Sequence, residues 1–113
     1  MDPAAEHATR DIADVPAVEI VSTAALHLMS AAAVQLGLAE DLAEHRDLDE
    51  ARTLIDALAG LVTAGAPRLG HHHALPLRDG LRSLQLAFRE ASEVPDPPGE
   101  APGERLTGAV SPA

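Results

Sequence analysis

A chain of 113 residues has room for one domain, and its polar ends leave roughly 75 residues for a core, a size at which one core is marginal alone. The absence of cysteine excludes a disulfide framework, a thiolate metal site and a thiol nucleophile. A formal net charge of −10, with arginine in place of every lysine, argues against general attraction to DNA, RNA or anionic lipid.

Residues 1–15 carry four acids against Arg10 and show no hydrophobic period, so they are expected to form a disordered acidic tail. Met1-Asp2-Pro3 lacks the basic start of a signal peptide. The first helix is predicted over residues 16–36, with Pro16 in a turn where its missing N–H costs nothing. Val18, Val21, Ala25, Leu28 and Ala32 form one apolar stripe, which Leu36 extends. Ile20, Ala24, Ala31 and Val34 are apolar on other faces, so this helix is expected to be covered on most sides. Gly37 is placed to cap its C-terminus. Val18–Leu38 has the length of a membrane span. It also holds Glu19, Ser22, Thr23, His27, Ser30 and Gln35, which are costly in hydrocarbon, and no basic cluster flanks it. The stretch reads as a buried helix of a soluble protein.

The second helix is predicted over residues 48–64. Asp47 is its N-cap, and Glu50 stands where a capping box needs it. Ala51, Ile55, Leu58 and Val62 form its core face, flanked by Leu48, Leu54 and Leu61. Arg52 is spaced for surface pairs with Asp49 and Asp56. Gly60 and Gly65 weaken the helix and Pro67 stops it. The third helix is predicted over residues 74–92, with Pro76 in its first turn and Leu77, Leu81, Leu84 and Phe88 facing the core. Pro95, Pro97 and Pro98 end it and open residues 93–113, a second acidic tail expected to be disordered. One Phe, no Tyr and no Trp, with no two-residue alternation, leave no strand to predict.

Four groups of residues invite a functional reading. Ala24, Ala25, Leu28, Ala31 and Ala32 let another helix approach the first one closely, and exposed contiguous apolar surface marks an interaction site. They are the candidate self-association residues. Arg78, Arg82 and Arg89, with Gln85 between, form a stripe on the outer face of the third helix that suits phosphate or an acidic partner, or pairs as an exposed face with the acids of the second helix or the tails. No aromatic side chain accompanies it as a stacking platform. His71-His72-His73 lacks the His-x3-His spacing of a closed zinc site, so it reads as a solvated helix start and not a metal centre. His27 has no nucleophile, phosphate loop or His-Glu-x-x-His pattern around it and reads as a hydrogen-bonded residue at a helix–helix seam.

The stretch Val15–Leu38, with Ser22-Thr-Ala-Ala-Leu-His-Leu-Met-Ser30 at its centre, resembles the first helix of a bacterial family catalogued as domain of unknown function 1844, of the actinobacterial type. The likeness continues through Asp49–Leu61 and Leu77–Ala91. It implies the three-helix order and leaves activity open.

The expected architecture is therefore all-α: a three-helix unit forming a dimeric bundle between disordered tails, in a cytoplasmic protein. The expected role is a non-catalytic helical interaction and dimerisation module with a protein partner. The alternative is a translation- or RNA-associated accessory factor that contacts RNA or the ribosome through the arginine face. No enzyme, cofactor, DNA or membrane is expected, because no nucleophile, base and oxyanion donors can be assembled.

Overall fold

The computed structural model describes residues 12–38 and 44–112. The expected tail over 1–15 lies almost wholly outside them, with only Ile12–Val15 described. Three long helices follow, α1 (Ala17–Gln35), α2 (Leu48–Gly65) and α3 (His71–Ala91). A 3-10 turn over Ala66–Arg68 joins α2 to α3, and a short helix α4 (Glu104–Thr107) lies near the C-terminus. No strand occurs among the described residues.

Capping decides where the helices begin and end. Gly37, at φ 76°, lets the chain turn back so that Gly37 N–H donates to Val34 O and Leu38 N–H to Ala33 O, both at 3.0 Å. This pair of bonds is the Schellman closure that the glycine predicts. Asp47 caps α2 by accepting from the N–H groups of Asp49 and Glu50, each at 3.1 Å. The reciprocal half of a capping box is missing: Asp47 N–H donates instead to Gln35 O at 2.7 Å. That bond ties the end of α1 to the start of α2.

The third helix begins at His71, three residues before the expected start, with Gly70 at φ 83° before it. Pro76 therefore sits inside the helix and leaves the carbonyl of His72 without its usual i+4 donor. Arg46 donates to Ala91 O, which satisfies a carbonyl at the C-terminal end of α3.

The helices pack around one core. Gln35 meets Asp47 at one end, and Val21 lies 3.3 Å from where a Cβ on Gly65 would stand at the other. α1 and α2 are thus antiparallel. α3 crosses both, with Gly80 so close to Met29 that a Cβ there would approach its sulfur to 2.8 Å. Ala25, Ala32 and Leu36 from α1, Ala51, Ile55, Leu58 and Val62 from α2, and Leu77, Leu81, Leu84 and Phe88 from α3 are buried. The core faces expected for α2 and α3 are all buried. In α1, by contrast, Val18, Val21 and Leu28 are only half-buried.

α1 is not covered on most sides. Two helices shield one side of it, and Ile20 and Leu26 remain 44 % and 58 % exposed. By length and composition α1 could cross a membrane, and 11 % of its most apolar stretch is buried.

Residues 93–112, expected to be a disordered tail, instead run across α2 and α3 and end a second layer of contacts. Ala101, Pro102, Gly103, Glu104 and Val110 are buried there. The proline-rich composition suggested disorder, but the segment finds specific partners for its polar groups instead of an apolar core of its own.

The Asp47 cap is testable by itself. Asp47→Ala should lower unfolding stability by about 1 kcal/mol, read as a lower urea midpoint at unchanged slope.

Candidate functional site

The polar face of α3 is where the chain concentrates its specific contacts. Arg78, Arg82, Gln85 and Arg89 recur at helical spacing along it. This face is open only in part, with Arg78 and Arg82 exposed and Arg89 half-buried. The strap formed by residues 93–112 lies over it, and Gln85 is 2 % exposed.

Glu104 is the centre of the arrangement. Its carboxylate is fully buried, and burying a charge is costly unless its oxygens are hydrogen-bonded and paired. Four donors meet that demand. Arg89 Nε reaches one oxygen at 2.6 Å and Arg89 Nη2 the other at 2.5 Å, a bidentate fork. Gly99 N–H donates to Oε1 at 2.9 Å and Val110 N–H to Oε2 at 3.3 Å. The Arg89 fork holds the Glu104 carboxyl below the ordinary glutamate range, burial opposes it, and the two backbone N–H groups add to the lowering. The same pairing raises the Arg89 guanidinium further above its usual value.

Around that pair, domain side chains bond the strap's main chain. Gln85 Nε2 donates to Pro102 O at 3.1 Å and to Thr107 Oγ1 at 3.0 Å. Asp56 Oδ1 accepts from Gly103 N–H at 2.8 Å. Arg89 also donates to Asp96 O at 2.8 Å and Pro97 O at 3.2 Å, and Arg82 to Ser111 O at 2.7 Å. Gly103 has φ 77°, and a Cβ on it would stand 2.9 Å from that of Ala59. Only glycine fits both the turn and the approach.

Two expected surface pairs are redirected by this layer. Arg52 donates to Asp96 at 2.9 Å instead of reaching Asp49 or Asp56, with its guanidinium 5.0 Å from the Phe88 ring centroid. Asp56 is taken by Gly103. No buried side-chain polar atom among the described residues lacks a hydrogen-bond partner.

The strap does not fill its groove. A pocket of about 370 Å³ remains between it and the helices, bounded by Val62, Arg78 and Arg82 on one side and Leu106 and Val110 on the other. Leu106, the largest apolar residue of α4, is 54 % exposed.

The other candidate residues separate cleanly. Ala25 and Ala32 are fully buried against α2 and α3, so they hold the single chain together and are not available to a second one. Leu28 and Ala31 are half-buried and Ala24 is exposed. His27 is exposed, not held at a seam within the chain. His71, His72 and His73 are exposed in the first turn of α3. No cluster of three or more metal-ligating side chains occurs among the described residues. The structure thus joins Arg82 and Arg89 to the strap and leaves Arg78 at the pocket rim.

Sequence reasoning missed Glu104, Gly103, Asp96 and Asp56. The available signal was Gly-Glu within Pro-Gly-Glu-Arg after a proline run, a turn followed by an acid, with an arginine stripe opposite that needed a partner.

The pH dependence follows from the lowered Glu104 ionisation. The unfolded glutamate titrates near ~4.3. The stability contributed by the pair is therefore complete above that value and is lost as pH falls through the lower folded value. Amide resonances of Gly99 and Val110 should move together, toward random-coil positions, in a titration below that range. Glu104→Gln should abolish the step.

Two comparisons found nothing: neither a curated protein nor a solved structure matches the chain. The sequence model described as Domain of unknown function (DUF1844) matches residues 17–90, which span α1, α2 and nearly all of α3. The chain belongs to that family.

Proposed function

We propose that this member of the DUF1844 family is a non-catalytic, cytoplasmic helical interaction module that pairs with a second copy of itself through the outer face of α1. The observation that carries the reading is the second apolar stripe of that helix. Ile20, Ala24, Ala31 and Val34 recur at helical spacing, with His27 in their midst, on the side turned away from the α2 and α3 contacts, and Leu38 stands just past the helix end. Ile20, Ala24 and Leu38 are exposed, and Ala31 and Val34 half-buried.

A second copy suits this stripe better than lipid does. The neighbouring strip carries Glu19, Thr23 and Ser30, which would face hydrocarbon in a membrane. The chain's acidity repels anionic headgroups, and no lysine anchors the helix ends. A two-fold pairing needs a self-complementary patch. With the axis near His27, Ala24 of one copy meets Ala31 of the other, and Ile20 lies opposite Val34. Small residues at the crossing then let the two backbones approach. Covering this face also adds apolar burial to a chain whose core is small for one copy.

The accessory-factor reading with RNA or the ribosome as partner draws less support. Its surface was the arginine stripe, and Arg89 and Arg82 are engaged by the strap.

Light scattering at micromolar concentration should give twice the 11.7 kDa chain mass. Ala24→Glu, at an exposed position, should return it to a single chain while leaving the helical circular dichroism intact. His27→Cys would introduce the one thiol in the protein. It should form a disulfide-linked dimer on mild oxidation. A single-chain mass for the wild type, with no crosslink at position 27, would overturn the pairing.

A further inference from the structure

We infer that the groove between α2 and α3 is a recognition site for an acidic segment of a partner protein, and that residues 93–112 are its resident intramolecular occupant. The inference rests on the interaction-module reading but uses a different surface from the α1 stripe.

Three observations lead there. First, the groove and its occupant have different origins in the chain. Arg52, Asp56, Arg82, Gln85 and Arg89 all lie within the family-matched residues, whereas the strap lies beyond residue 90. The recognising side chains lie within the family-matched residues, and what they hold lies beyond them.

Second, the chemistry is that of peptide recognition. Gln85, Arg82 and Arg89 donate to main-chain carbonyls, and Asp56 accepts a main-chain N–H. Such main-chain contacts fix the path of a turn-rich segment largely without reading its side chains, Thr107 excepted. Specificity comes from two acids, Glu104 in the Arg89 fork and Asp96 on Arg52. It comes also from the Pro-Gly turn at Pro102-Gly103, where Ala59 leaves no room for a side chain. The partner class is thus a protein segment with a Pro-Gly-Glu turn and an acidic residue upstream of it.

Third, the occupant fits imperfectly. The pocket of about 370 Å³ beneath α4 is left unfilled, and Leu106 points mostly to solvent. The connection from α3 also lies open to solvent, with Val94 87 % exposed and Pro95 exposed beside it. A partner segment with a better-placed apolar residue after its glutamate would fill that pocket while keeping every main-chain bond. Local opening of the strap exposes the groove without unfolding the helices.

The test uses the full chain and a fluorescent synthetic peptide with the sequence of residues 95–112. A tethered occupant acts at an effective concentration near ~1 mM, so it suppresses binding of the same segment in trans. Glu104→Ala, which detaches the resident copy, should bind the peptide at least about tenfold more tightly than the wild type does. A peptide with glutamine in place of the glutamate that corresponds to Glu104 should not bind, and neither should the chain carrying Arg89→Ala as well. Equal affinities for wild type and Glu104→Ala, or no binding to a folded Glu104→Ala chain, would overturn the inference.

Should Glu104→Ala fail to fold, hydrogen exchange on the wild type decides. The strap amides of Gly103 and Val110 should exchange together at least about tenfold faster than those of Ile55, Leu58 and Leu84. Exchange of all five at one common rate would show that the strap opens only with the whole domain, and would exclude an exchangeable occupant. The α1 dimer is scored separately by chain mass, so either proposal can fail alone.

Discussion

A carboxylate with no exposed surface imposes conditions on everything near it. Glu104 is tolerable inside the protein only because Arg89 forks onto it and Gly99 and Val110 turn their N–H groups inward. Those four donors come from α3 and from both sides of the strap. Satisfying one acid therefore fixes the path of the chain from Gly99 to Val110. The turn at Gly103 follows, since its N–H is claimed by Asp56 and its missing side chain lets it rest on Ala59. α2 is drawn into the same network through Arg52 and Asp96. Removing the acid would leave a fork and several carbonyl contacts without their organising partner.

α3 makes this possible by having two different faces in use. Its Leu77, Leu81, Leu84 and Phe88 side builds the core with α1 and α2. Its Arg82, Gln85 and Arg89 side reads the strap. α1 has two faces as well: Ala25 and Ala32 are buried within the chain, with Leu28, Met29 and Ala33 packed beside them and Leu36 at the C-cap. The apolar remainder around Ile20 and Ala24 is the part of the molecule without a partner inside it. One surface is thus closed by the chain itself and another is left to a second copy. The family match covers the helices and stops before the strap.

Much of the helical frame was legible in the sequence. The period of Ala51, Ile55, Leu58 and Val62, and that of Leu77, Leu81, Leu84 and Phe88, report burial directly because both are amphipathic. Asp47 and Gly37 mark the start of α2 and the end of α1 through local hydrogen-bond chemistry that needs no tertiary information. α1 was harder. Apolar residues all round it give no way to tell which stripe its own partners cover, so Ala25 and Ala32 stand both in the apolar stripe and among the self-association candidates, although the chain buries both itself. The start of α3 was missed because Gly70, at positive φ, launches a helix through three histidines that propensity alone does not favour. The strap was invisible for a different reason. Its order comes from contacts between residues many positions apart, such as Asp56 with Gly103 and Arg89 with Glu104. Its composition of proline, glycine and acid is the same as that of a disordered tail. The arginine stripe is legible in the sequence, and so is its pairing with acids of the second helix or the tails; which acid it takes is not, and for Arg89 it is Glu104, fifteen residues further on.

The central claim is that residues 99–110 are a folded part of this domain, locked by the Glu104–Arg89 pair. The most direct measurement is the backbone heteronuclear nuclear Overhauser effect on the nitrogen-labelled full chain. The account predicts values over residues 99–110 equal to those of α2 and α3, as expected for rigid backbone. Values as low as those of a free terminus across that stretch, with α2 and α3 still rigid, would contradict it.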